Sequence, residues 1–160
     1  MPTRVKVKIN DISELRGELD TICDEKMQLQ LAQWALKLAE HILTLVGYNY
    51  EADPVIQNGF DTNRQWQAGI ARMFDVRQAG FKVHQRAKSC NDPIQQAALR
   101  VTGQAVGTGH MREHAMVASD YAIKAINLKC PGDIRAVRAE REWQIKALKQ
   151  VPCVDVCSEG

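Results

Sequence analysis

Apolar residues recur at helical spacing along nearly the whole of this chain. The pattern is strongest in residues 24–46, where two apolar stripes fall on different faces of one helix. The first stripe is Leu31, Ala35, Leu38, Ile42 and Leu45, and the second is Leu29, Leu36 and Leu43. A helix that is apolar on two faces is buried on more than one side. We therefore predict that this is the central helix and that Gly47 ends it.

Helix start signals divide the rest of the chain into further helices. Asp53-Pro54 and Asp92-Pro93 each combine a side chain that accepts from free amides with a proline suited to the first turn. A last helix is predicted to start at Asp133, after a Cys-Pro-Gly turn. Asp11, with a glutamate three residues later, predicts a short helix over residues 11–19.

These segments predict an all-α fold, a single-domain bundle of six to seven helices with short loops over residues 1–160. Residues 1–10 alternate apolar and basic side chains, so we expect an extended arm or a short strand there. Residues 150–160 contain a proline and lack helical spacing, and we expect a loose C-terminal tail.

Composition and charge exclude several classes of protein. The net charge of +2 at pH 7 is small, which argues against a strong nucleic-acid binder and against an acidic mimic of nucleic acid. No stretch approaches the roughly 20 apolar residues of a membrane span, and the first ten residues lack the apolar block of a signal peptide. We therefore expect a cytoplasmic protein with no nucleic-acid partner and no membrane partner.

The cysteines and the familiar catalytic motifs narrow the chemistry further. The five cysteines are scattered and contain no Cys-x-x-Cys pair, so we interpret them as reduced thiols. Cys153 and Cys157 could instead pair or bind a metal, although solvated thiols are the preferred interpretation. A phosphate loop, a Gly-rich dinucleotide fingerprint and a Gly-x-Ser-x-Gly elbow are all absent from the sequence.

Two histidines, His110 and His114, are four residues apart with a glutamate between them. On one helix their Cβ atoms would lie about 5–6 Å apart, close enough for both rings to reach one zinc ion. His-x-x-Glu-His also matches an inverted zinc-peptidase motif. That enzyme class needs a third protein ligand, however, and the later glutamates lie in a basic helix or in the tail. The alternative is that both rings hydrogen-bond polar groups where helices cross.

His84 falls on a predicted helix that could pack near this pair, so a cluster of His84, His110 and His114 is geometrically feasible. A lone histidine on a helix, such as His41, is more often a core or boundary residue. The glycines before His110, at positions 103, 107 and 109, each cost a helix up to about 1 kcal/mol relative to alanine. They are tolerated where another helix approaches closely, or they mark a kink or break near His110.

The last predicted helix carries mixed charges, for which a solvated face is the default interpretation. Arg141 and Trp143 are of the residue types that most often anchor protein interfaces, but Trp143 could equally be a core residue. The same two interpretations apply to Arg64 and Trp66.

Several short motifs, taken in order along the chain, resemble bacterial immunity proteins of the all-α "immunity protein five" type. These motifs are LAQWALKLAEH over residues 31–41, RQW over 64–66, His84, AVGTGHMREH over 105–114, YAIKA over 121–125 and EREWQ over 140–144. The resemblance covers about residues 29–149. The chain departs from the pattern at Gly107 and Gly109, where alanines are more usual.

The resemblance implies a cytoplasmic protein of polymorphic toxin systems that binds and neutralises a cognate toxin. We accordingly predict a protein that acts by binding and not by catalysis, without a cofactor. Its candidate binding residues are His84, His110, His114, Glu140, Arg141 and Trp143. On this hypothesis His110, His114 and the Arg141/Trp143 region form one shared polar feature.

Two other functions remain open from the sequence. One is a small metal-binding helical protein, or a hydrolase, that uses His84, His110 and His114. The other is a structural or oligomerising bundle whose histidines do no chemistry. Assembly into a homo-oligomer is also left open.

Overall fold

Helices dominate the part of the chain that the computed structural model describes, residues 3–153. Within that range there are seven α-helices, one 3-10 turn (Tyr50–Ala52) and no β-strand. The helices are α1 (Ser13–Asp24), α2 (Gln28–Leu45), α3 (Pro54–Gln67), α4 (Met73–Lys88), α5 (Pro93–Gly107), α6 (His114–Lys129) and α7 (Ile134–Lys149). The prediction of an all-α single domain is confirmed.

Aspartates and glycines set several helix boundaries where the sequence predicted them. The side chains of Asp53, Asp92 and Asp133 accept hydrogen bonds from amides in the first turns of α3, α5 and α7. Gly47 and Gly69 follow α2 and α3 with φ of 73° and 76°. This left-handed conformation is one that glycine adopts without strain, so both residues stop their helices.

Two predicted helix starts were wrong. Helix α1 begins at Ser13, and Asp11 does not cap it because its carboxylate accepts hydrogen bonds from Arg141 instead. The helix predicted over residues 24–46 begins only at Gln28, because Asp24 is the last residue of α1. The cap position of α2 is held by Met27, whose amide donates to the side chain of Gln30 at 3.0 Å.

Helices α2 and α5 share the centre of the bundle. Helix α5 packs against α2, α3, α4 and α6, and α2 also contacts α3, α6 and α7. Trp34 on α2 is fully buried, and its Nε1 donates to the carbonyl oxygen of Gln144 on α7 at 3.0 Å. The predicted central helix is therefore buried on several sides, as its two apolar stripes indicate, but α5 is equally central.

Residues 3–12 contain no helix or strand, but hydrogen bonds hold them against the bundle. The backbone amide and the hydroxyl of Thr3 donate to Asp20, and Arg16 donates to the carbonyl oxygen of Thr3. Farther along, Asn10 exchanges two hydrogen bonds with Asn127 on α6. This segment is therefore fixed to both α1 and α6.

The structure also bears on membrane spans and on the state of the cysteines. None of the helices in residues 3–153 is long and apolar enough to cross a membrane. Cys23, Cys90, Cys130 and Cys153 are free thiols. Cys157, the expected alternative partner of Cys153, lies outside the described residues, as does most of the predicted tail.

Candidate functional site

The chain leaves the helical path between α5 and α6, just where the two neighbouring histidines occur. Helix α5 ends at Gly107 and α6 begins at His114, so His110 lies in the connecting turns. The assumption that both histidines share one helix was therefore wrong, and the predicted break near His110 is what the structure contains. Their rings are nevertheless close, with centroids 5.7 Å apart.

Buried polar side chains hold this connection in place. Thr108 is fully buried, and its hydroxyl donates to the carbonyl oxygen of Ala105 at 2.6 Å. Asn63 on α3 donates to the carbonyl oxygen of Val106, and Gln28 on α2 donates to that of Thr108. The connection is thus anchored to three helices, which fixes where His110 lies.

Glycines on α5 make room for the two imidazole rings that pack against that helix. A Cβ atom at Gly103 would lie 2.6 Å from the ring of His84, and one at Gly107 would lie 3.1 Å from the ring of His114. The first distance is far inside van der Waals contact, so no side chain fits there unless His84 moves. The close approach of the two imidazole rings therefore explains Gly103 and Gly107 on α5. The break near His110 explains only why α5 ends at Gly107.

Each of these two rings has one nitrogen engaged by a neighbour. Arg100 Nη1 lies 3.0 Å from His84 Nδ1, and since a guanidinium only donates, Nδ1 accepts and the proton is on Nε2. His114 Nδ1 lies 2.6 Å from Gln104 Oε1, an acceptor, so there Nδ1 carries the proton and Nε2 a lone pair. No other hydrogen bond within residues 3–153 involves either ring.

The surroundings of both rings favour the neutral imidazole. Burial, followed by the charges of Arg100 and His114, lowers the pKa of His84 to about 4. Burial also lowers the pKa of His114, with further contributions from His110 and Lys6 that outweigh the opposite effect of Glu113. Both rings are consequently uncharged near neutral pH.

The three histidines line one cavity, which we call the histidine cavity. Its volume is about 310 Å³. The lining residues are Arg77, Gly80, Phe81, His84, Gly103, Gln104, Gly107, His110, Met111 and His114. Phe81 and Met111 are exposed, and the guanidinium carbon of Arg77 lies 5.3 Å from the centre of the Phe81 ring. The cavity thus combines imidazole and guanidinium groups with an apolar wall.

The described part of the chain does not provide the ligand set for the three-histidine metal site that the sequence left open. Within residues 3–153, no three His, Cys, Asp or Glu side chains are grouped so that they could hold a metal ion. Two of the three candidate rings already use Nδ1 for hydrogen bonds to Arg100 and Gln104. The hydrolase mechanism considered for these histidines therefore has no geometric support in the described chain.

A second polar site surrounds Arg141 on α7, whose side chain is fully buried. It donates to Asp11 from Nε and Nη2 at 3.0 and 2.6 Å, and to Asp120 from Nη2 at 2.8 Å. Arg16 donates twice to the same Asp120, at 2.9 Å each. We call these four residues, with Ser119, the Arg141 cluster; Ser119 accepts from Arg141 Nη1 at 3.1 Å.

The remaining candidates lie beside this cluster. Glu140 is buried and accepts from Gln144 at 3.1 Å, and its other oxygen lies 2.8 Å from Nε2 of His41 on α2. Trp143 stacks on the His41 ring, with centroids 3.7 Å apart and planes within 7°. The interpretation of His41 as a boundary residue agrees with its half-buried position, but its pairing with Glu140 and Trp143 was missed.

The family model for the Imm-5 like putative immunity protein matches residues 21–151 of this chain. The chain belongs to this family. The resemblance found from the sequence motifs is thereby confirmed. Comparison with curated proteins gave no match, and neither did comparison with solved structures.

In this Imm-5 like protein the sequence-predicted residues form two groups and not one shared feature. His84, His110 and His114 line one cavity, whereas Arg141 and Glu140 belong to the buried polar groups near α1, α2 and α6. No hydrogen bond, ion pair or ring contact among residues 3–153 directly joins the two groups. The prediction that they form a single polar feature was wrong, and a binding role for either group stays a prediction.

Sequence reasoning also missed the partners of Arg141. Asp11 was assigned to a helix cap, and Asp120 and Arg16 were not singled out. One signal was present: Asp120 is the only charged residue in the apolar and small run of residues 115–123. A carboxylate in such a run needs a buried cation, which would have pointed toward an arginine elsewhere in the chain.

Proposed function

We propose that this protein acts in the bacterial cytoplasm, where it binds a cognate protein toxin and neutralises it by direct contact, without catalysis. Membership of an immunity-protein family supports a toxin as the kind of partner. The proposal assigns the contact to one side of the bundle, the α4 face, defined here as Met73, Phe74, Arg77, Phe81 and Met111 together with the mouth of the histidine cavity.

The observation that carries this assignment is the clustering of exposed apolar side chains. Nine large hydrophobic residues are exposed within residues 3–153, and four of them belong to the α4 face. Ile70, in the turn before α4, adds a fifth and is the most exposed of all. Phe74, Arg77 and Phe81 are spaced to share one side of α4. Contiguous apolar surface on a small protein marks a site of interaction.

The charges on this side favour a different protein over a second copy of this chain as the partner. Arg77 on the α4 face forms no ion pair within residues 3–153. In a symmetric dimer centred on this face, the two copies of Arg77 would approach and repel each other. A toxin surface that combines acidic and apolar side chains would match the face in both respects.

We accordingly divide the candidate residues into those that contact the partner and those that stabilise the bundle. His84, His110 and His114 belong to the cavity that opens on the α4 face, so we assign them to partner binding. Arg141 and Glu140 are buried, so we assign them to the stability of the bundle. Trp143 is half-buried against His41, and we do not include it in the contact.

Serine substitution of the two exposed phenylalanines tests the α4 face. We expect the Phe74→Ser, Phe81→Ser double variant to lose protection of cells that express the toxin domain from the neighbouring gene. Aromatic residues at an interface centre often contribute about 2 kcal/mol or more each, so binding of the double variant measured by calorimetry should weaken by roughly 700-fold. Both side chains are exposed, so the melting temperature should stay close to that of the unmodified protein.

Ile134→Ser is the matched control, because Ile134 is as exposed as Phe81 but lies at the start of α7. It should protect cells like the unmodified protein. Equal protection by the double variant and by the unmodified protein would contradict the assignment to the α4 face. A dimer in sedimentation analysis that dissociates in the double variant would show instead that a second copy covers this face.

A further inference from the structure

The histidine cavity is lined by the Nε2–H donor of His84, the acceptor Nε2 of His114 and the positive Arg77, but by no carboxylate. Its ionisable side chains are Arg77, His84, His110 and His114, and no aspartate or glutamate is among its lining residues. His84 turns an Nε2–H group away from Arg100, and this group has no acceptor within residues 3–153. Since no buried side-chain nitrogen in that range lacks a partner, the group reaches solvent through the cavity.

A guanidinium behind the cavity also lacks an anion. Arg100 donates to the neutral ring of His84, and none of the ion pairs within residues 3–153 includes Arg100. In contrast, Arg16, Arg86 and Arg141 each contact a carboxylate within 3 Å. Within the described chain, Arg100 therefore lacks the carboxylate partner that these three arginines have, as does Arg112, which donates to backbone carbonyl oxygens.

We propose that the histidine cavity receives the carboxylate of an aspartate or glutamate side chain from the protein partner. The inference deepens the proposed function and rests on it, since the side chain comes from the toxin that docks on the α4 face. The carboxylate accepts from His84 Nε2–H inside the cavity, which Arg77 also lines, while Arg100 holds the other nitrogen of the same ring. Its methylene groups contact Phe81 and Met111.

The size of the cavity matches one inserted side chain better than a free cofactor. A volume of about 310 Å³ is at the lower end of the range for small-molecule sites. Gly80 on α4 and Gly103 and Gly107 on α5 form part of its wall, and the rings of His84 and His114 lie over the two α5 glycines. Insertion of a single acidic residue also explains why the cavity opens among exposed apolar residues.

Charge coupling predicts that this contact strengthens as the pH falls. The groups around His84 and His114 are Arg77 on α4, Arg100 on α5, His110 and Glu113 in the connection before α6, and Lys6 in the N-terminal segment. All of them except Glu113 disfavour a protonated ring. An inserted carboxylate reverses this balance and raises both histidine pKa values, so binding takes up protons and the affinity rises as the pH falls below about 7.

Nuclear magnetic resonance of the histidine rings tests the proposal on the unmodified protein. The probe is acetyl-glutamate methylamide, and the isosteric acetyl-glutamine methylamide controls for everything except the charge. The chain has only four histidines, and His41 lies outside the cavity beside Glu140, so it is an internal control. We expect the glutamate peptide to raise the pKa of His84 and His114 by about 1–3 pH units, with no such change for His41.

Three outcomes would overturn the proposal. These are an equal response to the glutamate and glutamine peptides, a response of His41 as large as that of the cavity histidines, and no response of the cavity histidines. A response only to acetyl-alanine, whose carboxylate is at the C-terminus, would overturn the assignment to an acidic side chain. The titration needs no toxin, so its result is independent of whether the α4 face protects cells.

Discussion

The Arg141 cluster and the histidine cavity are both polar sites of one helical bundle, but their charges are matched in different ways. In the Arg141 cluster two arginines face two aspartates at 2.6–3.0 Å. In the histidine cavity Arg77 is among the lining residues, Arg100 donates to the neutral ring of His84, and no carboxylate lines the space. The first site is complete without a partner, whereas the second has positive groups that an incoming anion would match.

This difference separates residues that hold the fold from residues that are available for recognition. A buried arginine with two carboxylates is costly to disturb, because removal of one partner leaves the other charge buried. A cavity of neutral rings, open to solvent, loses less when it is altered. Substitutions in the Arg141 cluster should therefore change stability, and substitutions around the cavity should change binding and pH dependence.

The largest effect is expected for Arg141→Met. This change leaves Asp11 and Asp120 without the guanidinium that both accept from, and loss of one partner of a buried ion pair costs about 3–5 kcal/mol. Urea unfolding should show this decrease in the free energy of unfolding. Arg64→Met is the control, since Arg64 pairs with Glu40 at an exposed position and should cost at most about 1 kcal/mol. Similar losses for both variants would contradict the account.

A smaller effect is expected from acidification, through His84. Its pKa is about 4 in the folded protein and near 6.5 when unfolded. The unfolded state therefore binds more protons below pH 6.5, and stability present above pH 6.5 is lost as the pH falls toward 4. The expected loss is about 2–3 kcal/mol.

Urea unfolding of the unmodified protein and of His84→Gln between pH 7 and pH 4.5 measures this contribution. The glutamine oxygen can still accept from Arg100, but the side chain does not titrate. Its stability should depend less steeply on pH. Parallel curves for the two proteins would show that His84 does not contribute.

A comparable or smaller effect is expected for Gly103→Ala, which tests whether His84 occupies the space over α5. The new methyl group would lie 2.6 Å from the ring, and overpacking of this kind costs about 1–3 kcal/mol. Gly17→Ala is the matched helical control, because nothing lies within 4 Å of its Cβ position. It should stabilise α1 by up to about 1 kcal/mol, so thermal melts should move in opposite directions. A shift in the same direction would contradict the packing described for His84.

The smallest effect is expected for Trp143→Leu at the edge of the Arg141 cluster. The substitution removes the ring stacked on His41, and such a pair contributes about 0.5–1.5 kcal/mol beyond its buried area. Differential scanning calorimetry should show a modest decrease in melting temperature. Toxin protection should persist, and its loss would show that the surface around Trp143 also contacts the partner.

Local signals allowed much of the fold to be predicted. Asp53-Pro54, Asp92-Pro93 and Asp133 start helices because capping depends only on neighbouring atoms. Asp11 and Asp24 belong to the same residue type, yet neither starts its predicted helix. The carboxylate of Asp11 is used by Arg141, a residue far away in the sequence, and no local pattern contains that information.

The candidate site was predictable to a similar extent. His84 was expected on a helix that could pack near His110 and His114, and the three residues line one cavity. Whether the glycines meant close approach or a break could not be decided locally, and the structure contains both, with Gly103 against His84 and the helix end at Gly107. The prediction that these histidines share one polar feature with Arg141 was wrong, because the order of residues along the chain does not tell which helix faces are adjacent.

The ion pair between Asp11 and Arg141 joins positions 130 residues apart. Arg141 lies on α7, the last helix, and Asp11 precedes α1, the first. During synthesis on the ribosome this salt link cannot form until Arg141 has emerged, 130 residues after Asp11. Long-range contacts of this kind are also slow to form in refolding. Until then Asp120 has only Arg16 as a cationic partner, so a nascent chain that stalls before α7 would expose a half-neutralised acidic site.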